Sequence, residues 1–136
     1  MKKEFIVGAQ KILTYKIKET DCPDFGEGIL HPVCSTFRLA EKIEWATRQF
    51  VLEAIDLDEE GIGTLLTVEH LSAALVNEQI TIYSSISKIK KNELICSYEV
   101  KVGNRTIAKG ETGQKVLKRN KLKSIFENLK NESKKK

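Results

Sequence analysis

The chain has 136 residues, of which 40% are hydrophobic and 31% charged, and it carries a formal charge of +4. That length suits one domain able to bury a real core, and no apolar run approaches the roughly 20 residues of a membrane-spanning helix. Three cysteines, Cys22, Cys34 and Cys96, are an odd number without Cys-x-x-Cys spacing, which argues against a disulfide framework and a zinc site.

In chain order, Met1-Lys2-Lys3 followed by Phe5-Ile6-Val7 imitates a signal peptide, but its apolar stretch is too short and charge returns at Lys11. A cytoplasmic protein is expected. Residues 11–17 are β-prone and predict a first strand. Residues 19–28 carry two glycines and a proline and read as a mobile loop able to cover a site. His31 precedes Pro32, which biases it toward an extended conformation, and it receives no role. Cys34 is a conceivable nucleophile, but a small buried apolar residue is the commoner fate of a free cysteine.

From Phe37 to Ile55 the pattern is helical. Leu39, Ile43, Ala46, Phe50 and Ala54 form one apolar arc, with Arg38, Lys42, Gln49 and Glu53 opposite. Residues 56–61 read as an acidic turn ending that helix. Four β-like segments follow over 63–74, 79–89, 94–102 and 105–117, separated by short turns such as Lys90-Lys91-Asn92 and Gly103-Asn104. Short turns and alternation imply antiparallel neighbours with one face buried, so the class is α+β, with the sheet packed on or wrapped around the long helix. A short helix near Phe126 closes a single domain over 1–129, leaving 130–136 as a basic, frayed tail. Residues 118–136 hold eight Lys/Arg against two Glu, so the positive charge belongs to the end of the chain. No basic stripe with aromatics stands elsewhere, and neither a nucleic-acid nor a membrane partner is expected.

Two ionisable residues fall where the pattern alone would place something apolar. Glu44 lies on the helical wheel within about 40° of Phe37, Ala40, Val51 and Ile55, at the edge of the face that meets the sheet. His70 shares strand parity with Leu66 and Val68. Thr36 stands at or just before the helix start, where a hydroxyl often serves as a cap. A bordering carboxylate, a satisfied core histidine and a structural cap are the plain alternatives for the three.

Together these residues form a recognisable pattern. The run Thr36-Phe37-Arg38-Leu39-Ala40-Glu41-Lys42-Ile43-Glu44-Trp45-Ala46, followed by Gly63-Thr64-Leu65-Leu66-Thr67-Val68-Glu69-His70, resembles the fluoroacetyl-CoA thioesterase-like family of hotdog-fold proteins. The resemblance extends over about residues 8–127. It implies a hotdog fold, a long helix wrapped by a curved antiparallel sheet, paired as a homodimer with active sites near the interface. It implies an acyl-CoA thioesterase with Thr36, Glu44 and His70 as the catalytic trio and Gly63 and Thr64 lining the acyl-thioester pocket, without metal or cofactor. Gln114 stands where the family's characterised enzyme has an arginine associated with CoA, and Leu30 where it has an aromatic lid residue. A plain small or medium acyl-CoA is therefore the expected substrate.

On that expectation Glu44 acts as nucleophile or as general base on water, His70 orients and shuttles a proton, and backbone N–H groups hold the oxyanion. A non-catalytic acyl-CoA-binding or sensing module is the alternative. One distance is awkward: in an unbroken helix Thr36 and Glu44 stand about 12 Å apart. Either Thr36 curls back ahead of the helix, or the trio is completed across a dimer.

Overall fold

The computed structural model describes residues 1–24, 26, 28 and 31–135. Part of the loop expected over 19–28 lies outside those residues, as does Leu30. The elements are β1 (Gln10–Lys16), a 3₁₀ turn (Glu19–Asp21), α1 (Thr36–Ala54), β2 (Glu59–Leu66), β3 (Glu69–His70), β4 (Gln79–Lys90), β5 (Glu93–Val102), β6 (Arg105–Lys118) and α2 (Arg119–Lys134). All strand pairs are antiparallel, in the order β1-β4-β5-β6-β2, with β3 also on β6.

The alternation that marks β4 and β5 becomes burial. Ile80, Ile82 and Ile86 of β4 and Leu94, Cys96, Tyr98 and Val100 of β5 lie on the inner face. They meet α1 in two clusters: Leu39, Ile43 and Ala46 pack with Ile80, Ile82, Val100 and Ile107, while Phe50 and Val51 pack with Ile86, Leu94, Cys96 and Val116. The sheet thus wraps the helix along its length, the hotdog arrangement implied above.

The start of α1 is well determined. Ser35, not Thr36, is the N-cap, its Oγ accepting from the Arg38 N–H at 3.1 Å. Cys34 and Leu39, flanking that cap, share the first cluster as a hydrophobic staple does. The Ser35 N–H donates to the Asp21 carbonyl at 2.8 Å, and the Asp21 carboxylate bonds both the Lys18 N–H and the Lys42 ammonium, each at 2.9 Å. Burial pushes the Asp21 carboxyl up, but those two donors outweigh it and hold the group below its usual range.

Two segments differ from expectation. The acidic turn is shorter than 56–61, because Glu59 and Glu60 already belong to β2. Glu59 is buried, accepting from the Asp56 N–H and pairing with the Met1 ammonium, each at 2.9 Å. The single strand expected over 63–74 is instead β2 and the two-residue β3. At the far end α2 runs through Lys134, into the stretch expected to fray.

Candidate active site

Thr36 is the first helical residue of α1, so it does not curl back, and the about 12 Å of axial rise to Glu44 stands. The geometry divides the three expected residues into two places.

The first is the corner where α1 begins. Thr36 Oγ1 lies 2.9 Å from His70 Nδ1. His70 is held by β3, whose register opposite β6 is Glu69 to Lys109 and His70 to Ala108. The break before β3 is fixed at Thr67, whose N–H donates to the Glu111 carbonyl at 2.9 Å. Its hydroxyl accepts from the Glu111 N–H at 2.8 Å. The Tyr98 hydroxyl donates to the Thr67 carbonyl at 2.7 Å, and burial pushes that hydroxyl up to about 12, so it stays a donor near neutral pH. Gly110 makes this approach possible, since a Cβ there would collide with the Thr67 carbonyl oxygen. On the far side of the ring, His70 Nε2 is buried without a partner among the described residues.

The second place is a groove of about 240 Å³ further along α1, lined by Glu44, Trp45, Arg48, Gly63, Leu65 and Gln114 among others. Glu44 is exposed in it rather than tucked under the sheet. Gly63 stands directly opposite Gln114 in the β2–β6 register. Gln114 is only 7% exposed, and its Oε1 is buried without a partner among the described residues. Arg48 donates from Nη1 to the Gly61 carbonyl at 3.2 Å. Thr64, expected beside Gly63 in the pocket, does not line the groove; its hydroxyl donates to Glu93 at 2.8 Å.

A β-bulge relates the two places. The ladder passes from Gly63–Gln114 to Leu65–Gly113, leaving Thr64 without a partner. Seven residues separate Gly63 from His70, an odd number that would put them on opposite faces of a regular strand. Their partners Gln114 and Ala108 are an even number apart on β6. The bulge absorbs the odd residue, and both face α1.

Cys34 is not placed for nucleophilic work. It is 1% exposed, its Sγ turns to the Ser35 carbonyl, and burial pushes the thiol up to about 11. Among the described residues no group of three or more His, Cys, Asp or Glu could hold a metal ion, and no helix is long and apolar enough to cross a membrane. Arg48 was not singled out by sequence, and Trp45 stood there as part of the Glu44-Trp45-Ala46 motif without a role of its own. The signal was present, since Glu41, Trp45 and Arg48 recur on Glu44's side of the helix at intervals of three and four.

Comparison with known proteins bears on the family and the fold. The profile of the family described as fluoroacetyl-CoA-specific thioesterase matches residues 17–120. Among solved structures, a Thermus thermophilus hypothetical protein described as a thioesterase superfamily member superposes with a TM-score of 0.87 at 24% identity. The match covers 98% of this chain and 99% of that one. The fluoroacetyl-CoA thioesterase FlK superposes at 0.81 with 17% identity, over 93% and 98% of the two chains. A hot-dog-like protein from Thermanaerovibrio acidaminovorans gives 0.81 at 17% identity, over 91% and 93%. No curated protein sequence matches the chain significantly.

Proposed function

This chain belongs to the fluoroacetyl-CoA-specific thioesterase family, and on that premise we propose that it hydrolyses a small or medium acyl-CoA at Glu44, with Thr36 and His70 supplied by a second copy. That it is a thioester hydrolase acting on acyl-CoA follows from the family; the residues, acyl size and pairing are our reading. The observation that carries it is the division of the site. Glu44 opens onto a groove floored by Gly63, while Thr36 and His70 form a bonded pair about two helical turns away.

Exposed apolar side chains support the second copy. Phe37 is 71% and Trp45 51% exposed on α1, and Leu65, Leu66, Leu71 and Leu75 are exposed around the β2–β3 edge. A two-fold contact that buries this side brings one copy's helix start toward the other's groove. The three free cysteines are buried thiols, which fits a reducing cytoplasm.

In the reaction an oxygen adds to the thioester carbonyl carbon, either from the Glu44 carboxylate, giving a mixed anhydride that water then opens, or from water that Glu44 deprotonates. The carbonyl oxygen gathers charge beside the backbone around Gly63, where the bulge interrupts the ladder. Collapse breaks the carbon–sulfur bond, and the departing CoA thiolate takes a proton relayed by His70, whose other nitrogen is held by Thr36.

The test is thiol release from short acyl-CoAs. Glu44→Ala or His70→Ala is expected to lower the rate by about 10²-fold, and mixing the two inactive variants to restore activity through mixed dimers carrying one complete site. Full activity in both variants would falsify the catalytic assignment. Two inactive variants that never rescue each other, although mixed dimers form, would overturn the shared site. A single turnover in ¹⁸O water identifies the nucleophilic route when water opens the anhydride at the Glu44 carboxyl carbon. The first product then leaves with an unlabelled protein oxygen and Glu44 takes the label, whereas water added directly to the thioester labels the product and not the protein.

A further inference from the structure

We propose that Arg48 and Gln114 form an anion-reading end of the groove, so that the preferred substrate is a short acyl-CoA whose acyl chain ends in a second carboxylate. The inference rests on the reading of Glu44 as the reacting group. Arg48 follows Glu44 by four residues, about 6 Å along the helix on the same side, and both line the groove with Gly63.

The guanidinium is fixed and available. Its Nη1 is tied to the Gly61 carbonyl, and among the described residues the ion pairs of arginines involve Arg38 and Arg105, not Arg48. Gln114 meets it at the same glycine. A Cβ on Gly61 would lie 3.5 Å from Gln114 Oε1, so that oxygen is turned toward Gly61 and Val51, and Nε2 is the branch of the amide that remains to donate. Arg48 and Gln114 thus both reach Gly61, and among the described residues Arg48 makes no ion pair although Glu41 and Glu44 share the groove.

An alkyl chain ending there strips water from both donors and returns no hydrogen bond, a cost that apolar contact offsets poorly. A carboxylate accepts from both, in the planar geometry that a guanidinium matches. A groove of about 240 Å³ holds an acyl chain of a few carbons. The phosphates of CoA are the other source of negative charge, but the pantetheine arm carries them much farther from the sulfur than one helical turn. A plainer role is also open to Arg48: Glu and Arg four apart on a helix attract one another, which would make Arg48 a positioning residue for Glu44.

Direct titration with two non-hydrolysable thioethers, S-(3-carboxypropyl)-CoA and S-butyl-CoA, separates these roles. The protein is expected to bind the carboxylated ligand at least tenfold more tightly. Arg48→Met should erase that preference, Arg48→Lys keep part of it, and Gln114→Leu weaken it. Equal affinity of the unmodified protein for both ligands overturns the inference, and so does an Arg48→Met loss that is the same for both. The comparison within the unmodified protein stands even if a variant fails to fold. Thiol release from succinyl-CoA and butyryl-CoA is read separately. Selective binding without release from either sinks the hydrolytic reading and leaves the anion site in place.

Discussion

The corner at the start of α1 and the groove at its middle lie on the same helix, yet they are built on opposite terms. The corner is held at several points: Thr36 bonds His70, Tyr98 and Glu111 pin Thr67, and Asp21 ties down the N-cap, with His70 Nε2 the atom left unpaired among the described residues. The groove is more open: Glu44 is exposed, and Arg48 is tied at the Gly61 carbonyl without an ion pair among the described residues. A preorganised pair suits proton handling, where geometry must not drift. Unsatisfied groups around an opening suit a ligand that satisfies them. On the proposed function, the contrast separates what the fold holds in place from what it leaves for substrate.

That contrast predicts different kinds of damage. The largest effect falls on the groove: Glu44→Gln should cut thiol release by about 10²-fold or more while moving unfolding free energy by no more than about 0.5 kcal/mol. A large loss of stability there would erase the distinction. At the corner the balance reverses, because Tyr98→Phe leaves the Thr67 carbonyl short of its partner. We expect a cost of about 1–2 kcal/mol in denaturant unfolding, with any loss of rate following from displaced His70. Thr36 and His70 should behave as one unit, so a double-mutant cycle with Thr36→Val and His70→Gln on thiol release should show a coupling of about 0.5–1.5 kcal/mol; additive losses would mean the pair is not used together. The smallest effect concerns pH. Asp21 has a folded pKa below its unfolded value, so its contribution is full above about pH 4 and fades as pH falls through the folded value. Melting curves between pH 6 and 3 should slope less for Asp21→Asn.

How much of this the sequence disclosed depends on where each residue's partners come from. Strands β4 to β6 were legible because their alternation is local, and so was α1, whose apolar arc fits a 3.6-residue period. Glu59 misled because an acidic run reads as a turn; its burial depends on the Met1 ammonium, far away in sequence. The break at Thr67 was hidden for the same reason, since Tyr98 and Gly110 belong to other strands. Glu44 was found at the edge of the buried face, and the fold opens that edge into a groove. Thr64 was expected in the pocket by association with Gly63, and the bulge is what turns it to Glu93.

Trp45 is the chain's sole tryptophan, half exposed on the wall of the groove beside Glu44. The molecule therefore carries its own optical reporter at the place where substrate and a second copy are proposed to meet. An indole open to water emits toward the red, and covering it shifts emission toward the blue. Titrating a CoA thioether at fixed protein concentration reads occupancy of the groove. Diluting the unliganded protein reads the pairing of copies, so one unlabelled residue reports on both equilibria.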